Sequence, residues 1–161
     1  MRLMFKQRFF SWLDSYDIYD EWGNTVFTVV GRMSFGKKLE VHDASGRYLG
    51  MLKQRLFLWR PTFDIYMGDY RIGSISKEFT WFKPKFYIDC NGWSVEGDFW
   101  QWDYSIRSAS GGLVAMISKQ GFKWTDTYAL DVFDPVDAPA VLMVVLAIDA
   151  EKDNRNRHID V

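Results

Sequence analysis

APAVLMVVLAI, residues 138–148, is apolar on every side, with no polar face at a 3.6-residue period. Asp137 precedes it as a candidate N-cap, and Pro139 falls in the first turn, where a missing N–H costs little. A helix apolar all round must be surrounded, either by lipid or by protein. Length separates the two: these residues span roughly 16 Å as a helix, against about 30 Å for a bilayer core. The stretch is therefore expected to be the buried centre of a protein fold. Val141, Leu142, Met143, Val144, Val145, Leu146 and Ile148 would bury side chains worth about 2 kcal/mol each, on the order of 14 kcal/mol together as an upper estimate.

The rest of the chain supplies what surrounds it. Short apolar–polar alternations are punctuated by EWGN (21–24), DASG (43–46), MGD (67–69), CNGW (90–93) and SASGG (108–112). Asp, Asn, Ser and Gly provide the positive φ and side-chain hydrogen bonds that tight turns require. Strands are expected at 16–20, 25–30, 38–42, 47–56, 62–67, 70–77, 84–89, 93–99, 102–107, 113–119 and 126–133, with a further one near 6–12. Hairpin follows hairpin with no helical pattern between strands, which is an antiparallel meander and not a series of βαβ units.

Several segments repeat. KQRFFSWLDSYDIY (6–19) is echoed by KQRLFLWRPTFDIY (53–66). GMLKQRLFLW (50–59), AMISKQGFKW (115–124) and, more loosely, GSISKEFTW (73–81) share a small residue, apolar residues and a Lys before an aromatic. Repeated hairpins point to a sheet built by duplication. The expected fold is mainly β: a closed antiparallel barrel of about twelve strands around a buried C-terminal helix. The barrel with its helix, near 137–152, accounts for residues 1–152, and 153–161 form a polar tail.

Composition narrows the function classes. Aromatics make up 18% of the 161 residues, which suits strands and a packed core. The formal net charge is -1, which excludes a bulk nucleic-acid binder but leaves room for a local basic patch. Cys90 is the sole cysteine, so no intrachain disulfide can form. Arg2, Lys6, Arg8 and Asp14 interrupt the N-terminal region before a secretory apolar core could develop. A cytoplasmic location, with a peripheral membrane role open, is expected.

The arrangement resembles the LURP-one-related family, within the tubby C-terminal-like superfamily that includes the phospholipid scramblases. The resemblance is carried by YDIYDEWGNTVFTVVGR (16–32), LEVHDASGRYLGMLKQRLFLWRPTFDIY (39–66), FKPKFYI (82–88), VEGDFWQWDYSI (95–106), VAMISKQ (114–120), and DTYALDVFD with VLMVVLAID (126–149). It implies a barrel around a central helix and a compact bacterial or archaeal member. It also implies a non-enzymatic binding or membrane-tethering module, because tubby-like domains bind phosphoinositide head groups and scramblases act on phospholipids.

Catalytic and metal chemistry find little support. His42 and His158 are the only histidines. His42 stands beside Asp43 at a strand end running into a turn, where Asp43 reads as the turn-forming carboxylate. Cys90 precedes an Asn-Gly turn with no neighbouring His, and no nucleotide-binding or nucleophile-elbow motif occurs. No cofactor is implied. Asp131, Asp134 and Asp137 stand in the region corresponding to an acidic stretch proposed to bind calcium in scramblases, but the Gly turn and closing Glu of a calcium loop are missing. They are expected to cap the helix and solvate a strand end, and no metal site is assigned.

The candidate ligand-binding residues are basic: Lys6, Arg8, Lys53, Arg55, Lys83 and Lys85. In uninterrupted strands Lys6, Arg8, Phe10 and Trp12 would share one face, as would Lys53, Arg55, Phe57 and Trp59. Lys37 and Lys38 could add charge. Lys/Arg beside aromatics suits an anionic membrane surface or phosphorylated head group. A β-bulge would instead turn the aromatics inward and leave the charges as rim solvation. The expected partners are an anionic lipid or membrane surface, or a protein, and not nucleic acid.

Overall fold

The computed structural model describes residues 1–6, 14–56, 62–78, 85–99, 101–120 and 127–159, and the side chains of 6, 77, 78, 85 and 152–159 also lie outside the description. Twelve strands follow one another: β1 (Arg2–Lys6), β2 (Ser15–Asp20), β3 (Thr25–Arg32), β4 (Lys38–Asp43), β5 (Tyr48–Arg55), β6 (Thr62–Met67), β7 (Tyr70–Glu78), β8 (Lys85–Cys90), β9 (Ser94–Asp98), β10 (Asp103–Arg107), β11 (Leu113–Gln120) and β12 (Thr127–Val132). They form one antiparallel sheet in the order β8-β7-β6-β5-β4-β3-β2-β1-β12-β11-β10-β9. Every strand but the end pair lies beside its sequence neighbours, and β1 pairs with β12 to bring the ends of the chain together. The ring has a single seam, between β8 and β9, which share no ladder. Side chains bridge it: the Phe86 and Phe99 rings meet edge to face at 5.0 Å.

The helix α1 (Ala138–Ile159) fills the barrel. Each residue from Ala140 to Glu151 is buried, the seven large apolar side chains among them almost completely. They meet Leu3, Ile18, Val29, Val41, Leu52, Ile65, Ile106 and Leu130, the inward residues of the strands, in one core. The entry differs in detail from expectation. A 3-10 turn (Pro135–Asp137) precedes the helix, and its cap is Asp134, whose carboxylate accepts from Val136 N at 3.1 Å. Asp137, the expected cap, is already inside the turn. At the far end the helix continues past residue 152 to Ile159. No helix among the described residues is long and apolar enough to cross a membrane.

β1 is described as Arg2–Lys6, the expected strand near 6–12 lies beyond Lys6 outside the described residues, and β5 ends at Arg55. The second KQR, 53–55, closes β5, and the Asp-Ile-Tyr of each copy sits inside a described strand, β2 or β6. Ile18 and Ile65 both point into the core with no exposed surface.

Four hairpins share a second feature. In β2–β3, β4–β5, β6–β7 and β10–β11 the register slips by one residue just beyond the turn, leaving Val26, Leu49, Ile72 and Val114 as extra residues on the returning strand. Each bulge lets two consecutive residues reach the interior, so Val26, Leu49 and Ile72 pack against the core beside Phe27, Gly50 and Gly73. Bulges at a barrel rim bend the strand and tighten its twist. The residue after the bulge must be small where backbone passes close. A Cβ on Gly50 would collide with the Tyr66 carbonyl oxygen and come within 2.8 Å of Met143 Cε on the helix.

Candidate functional site

In a meander all odd strands end at one end of the barrel and all even strands end at the other. One end holds the tight turns 21–24, 44–47, 68–69, 91–93 and 108–112 and the entry of α1; no lysine occurs in any of them. The other end holds the longer connections and the exit of α1, where Lys37 Nζ reaches the Ala150 carbonyl at 3.5 Å. Lys6, Lys53, Lys77 and Lys119 lie within three residues of the ends of β1, β5, β7 and β11. Lys37, Lys38 and Lys85 stand at the starts of β4 and β8, and Lys152 lies in the last third of α1. Lys83 and Lys123 fall in segments outside the described residues, as does Arg8. Every lysine whose position is described thus belongs to this one end, which we call the lysine end. By the same count the strand ends and connections described there also carry the acids Asp14, Asp17, Glu40, Asp64, Glu78, Asp98 and Asp103, and α1 adds Glu151 and Asp153 on either side of Lys152.

Of the expected ligand-binding residues, Lys53 and Arg55 can be followed to their side chains. Both are exposed on the outer face of β5, beside a groove of about 340 Å³ lined by Phe35, Gln54, Leu56, Asp64 and Tyr66. Their surroundings differ. Arg55 is committed to Asp64, donating through Nε at 2.7 Å and through its terminal nitrogen at 2.6 Å. Arg71 Nε reaches the same carboxylate at 2.7 Å. Burial would raise the Asp64 carboxyl, but the hydrogen bonds from the two guanidiniums outweigh it and hold the group below its ordinary value. Lys53 stands directly across one ladder from Lys38, a like-charge pair that is unfavourable on its own, and directly across the other from Asp64, whose carboxylate the two guanidiniums already hold. Lys38 is compensated by Glu40 at 3.0 Å, which also holds Arg32 at 2.9 Å. Lys53 has no ion-pair partner among the described residues. Lys6 and Lys85 are placed by their strands at the same end, without a description of their side chains.

The connection from β3 to β4 adds an apolar element that the sequence reading missed. Met33 is 88% exposed and Phe35 92% exposed, flanked by Arg32, Lys37 and Lys38. Its signal was available: two large apolar residues in a segment too short and too polar around them to be a strand. The aromatics Phe10, Trp12, Phe57 and Trp59 lie outside the described residues.

The residues considered for catalysis and metal binding have structural tasks. Asp43 accepts from Ser45 Oγ at 2.6 Å, Ser45 N at 2.9 Å, Arg47 N at 3.0 Å and Arg47 Nε at 2.9 Å. These bonds, that of the Ser45 hydroxyl first, lower its carboxyl to about 2. His42 Nδ1 lies 3.2 Å from the Gly46 carbonyl and Nε2 3.5 Å from Glu40. Cys90 is buried, which pushes its thiol up to about 11, away from the reactive thiolate. Asp131 pairs with Arg2 at 2.9 Å and Asp134 caps the 3-10 turn. Among the described residues no three His, Cys, Asp or Glu are grouped to hold a metal ion.

A family model described as LURP-one-related matches residues 1–149. The chain belongs to the LURP-one-related family. This LURP-one-related chain is 29% identical over 150 residues to "Uncharacterized protein YxjI" of Bacillus subtilis (strain 168), covering 92% of each. Its fold is similar to that of an X-ray structure of a protein from Arabidopsis thaliana, with a TM-score of 0.59 at 15% identity, over 92% of this chain and 90% of that one. The latter likeness concerns the barrel and helix alone.

Proposed function

We propose that this LURP-one-related domain is a non-enzymatic module that attaches to anionic membrane surfaces through its lysine end. The observation that carries the reading is the segregation of lysine: each described lysine lies at the end where α1 exits, and none lies in the turns opposite. A basic residue near an anionic leaflet contributes about 1 kcal/mol, so several acting together produce useful but reversible binding. Lys53, beside the groove and without an ion pair among the described residues, offers a point charge for a phosphate oxygen, and Met33 and Phe35 offer apolar side chains to the interface.

Co-sedimentation with vesicles of phosphatidylserine in phosphatidylcholine, against phosphatidylcholine alone, tests it. The anionic vesicles should pull the protein down and the neutral ones should not, with binding weakened as salt screens the charges. Replacing Met33 and Phe35 by Ser should remove the part of the binding that survives high salt. Equal absence of binding to both vesicles would end the proposal in favour of the alternative, a protein-interaction or structural module with no lipid role.

A further inference from the structure

The turn end carries a surface of a different kind. Between the β2–β3 turn, β1, β11 and the segment after β12 runs a groove of about 640 Å³. Its apolar lining includes Trp22, Met116 and Phe133, which are 78%, 46% and 59% exposed. Exposed apolar residues scattered singly need no explanation, whereas several around one concavity mark an interaction site. Trp22 occupies the tip of a tight turn, a position that most polar residues would fill at lower cost.

The backbone of that turn is held in place. The Asp20 carboxylate accepts from Trp22 N at 2.9 Å, Asn24 N at 2.8 Å and Asn24 Nδ2 at 2.9 Å, and Gly23 N donates to the Asp20 carbonyl at 3.1 Å. The Asn24 side-chain bond, followed by the backbone bonds, keeps Asp20 below its ordinary carboxyl value, so it stays charged. Glu21 is exposed beside it. Across the groove the Arg2 guanidinium is neutralised by Asp131 at 2.9 Å. The groove therefore combines an exposed indole carried on a fixed turn, an apolar floor, and the carboxylates Asp20 and Glu21 on the Trp22 side. A cation over an indole face gains most where carboxylates stand nearby and a pocket limits water.

We infer that this groove binds a segment of another protein in which a Lys or Arg flanks aliphatic residues, the cation resting on Trp22 and Glu21 and the aliphatics on Met116 and Phe133. The choice of a basic partner follows from charge complementarity with Asp20 and Glu21 on the Trp22 turn, Asp131 being paired with Arg2. This surface is independent of the lysine end, so a domain engaged there remains free to hold a partner here.

The experiment is a selection of displayed random dodecapeptides on the full chain, repeated on Trp22→Ala and Glu21→Lys. Both residues are exposed, and thermal melts should show both variants folded like the parent. The expected peptides carry a basic residue among aliphatics, perturb the Trp22 indole N–H resonance, and bind at least about tenfold more weakly to either variant. Peptides without a basic residue, peptides that ignore both substitutions, or an empty selection would overturn the inference. So would concentration-dependent self-association lost in Trp22→Ala, which would make a second copy the occupant.

Discussion

The lysine end and the turn end are made by the same hairpins yet solve different problems. At the turn end the connections are short, bulges bend the strands over the core, and arginines are consumed locally: Arg2 by Asp131, Arg47 by Asp43 and Arg107 by Glu96. Arginines at the lysine end are paired in the same way, Arg32 with Glu40 and Arg55 with Asp64. The lysine end adds long-stemmed lysines, and Lys53 is left without an ion pair among the described residues. Apolar exposure follows the same division, Trp22 and Phe133 beside acids at one end, Met33 and Phe35 beside lysines at the other. The net charge of -1 is thus an average over two surfaces of unlike character. Charge that is paired at its own turn stabilises the scaffold, and charge left unpaired is available to a partner.

The largest test removes what joins the ends. A chain stopped at Phe133 loses α1, and with it apolar burial worth on the order of 14 kcal/mol as an upper estimate, comparable to the whole stability of a domain. No cooperative thermal transition is expected in calorimetry, and a soluble, cooperatively melting product would contradict the central-helix account. Next in size is the bulged hairpin. Gly50→Val should cost about 3 kcal/mol or more in urea unfolding, because the new side chain meets the Tyr66 carbonyl and Met143. Asp64→Ala should cost about 2 kcal/mol, since it strands Arg55 and Arg71 against one another.

Acid should act on the scaffold rather than on the lysines. Asp43 titrates in the folded state at about 2, below the value near 3.9 of an unfolded aspartate, and Asp64 is depressed in the same direction. Their contribution is complete above about pH 5 and disappears as pH falls through the folded values. The melting temperature should therefore drop between about pH 5 and pH 2, and Asp43→Asn should flatten part of that drop. An unchanged slope in the variant would mean that the bonds at this turn do not contribute to stability.

Much of this architecture could be read from residues. The helix was legible because APAVLMVVLAI has no polar face and is too short to span a bilayer, and most strands because turn residues bracket alternating runs. The bulges were not, although they leave a mark: VF, LG, IG and VA, two consecutive inward residues just past a turn, break the alternation at the same place in four hairpins. Asp134 and not Asp137 caps the entry because a 3-10 turn precedes α1, and α1 continues to Ile159. The site was half visible. Lys53 and Arg55 were identified as a pair, yet their fates diverge through Asp64 and Arg71, partners that adjacent strands supply and linear spacing conceals. The segregation of lysine emerges only when each residue is assigned to the end of its strand, odd or even.

The most direct test of the lysine end changes charge equally at the two ends. Lys6→Gln with Lys53→Gln removes two positive charges at one end, and Arg47→Gln with Arg107→Gln removes two at the other. Binding to phosphatidylserine-containing vesicles should weaken about 30-fold in the lysine pair, from about 1 kcal/mol per residue, while the arginine pair binds like the parent. Equal weakening in both pairs, or none in the lysine pair, would contradict a membrane-facing lysine end.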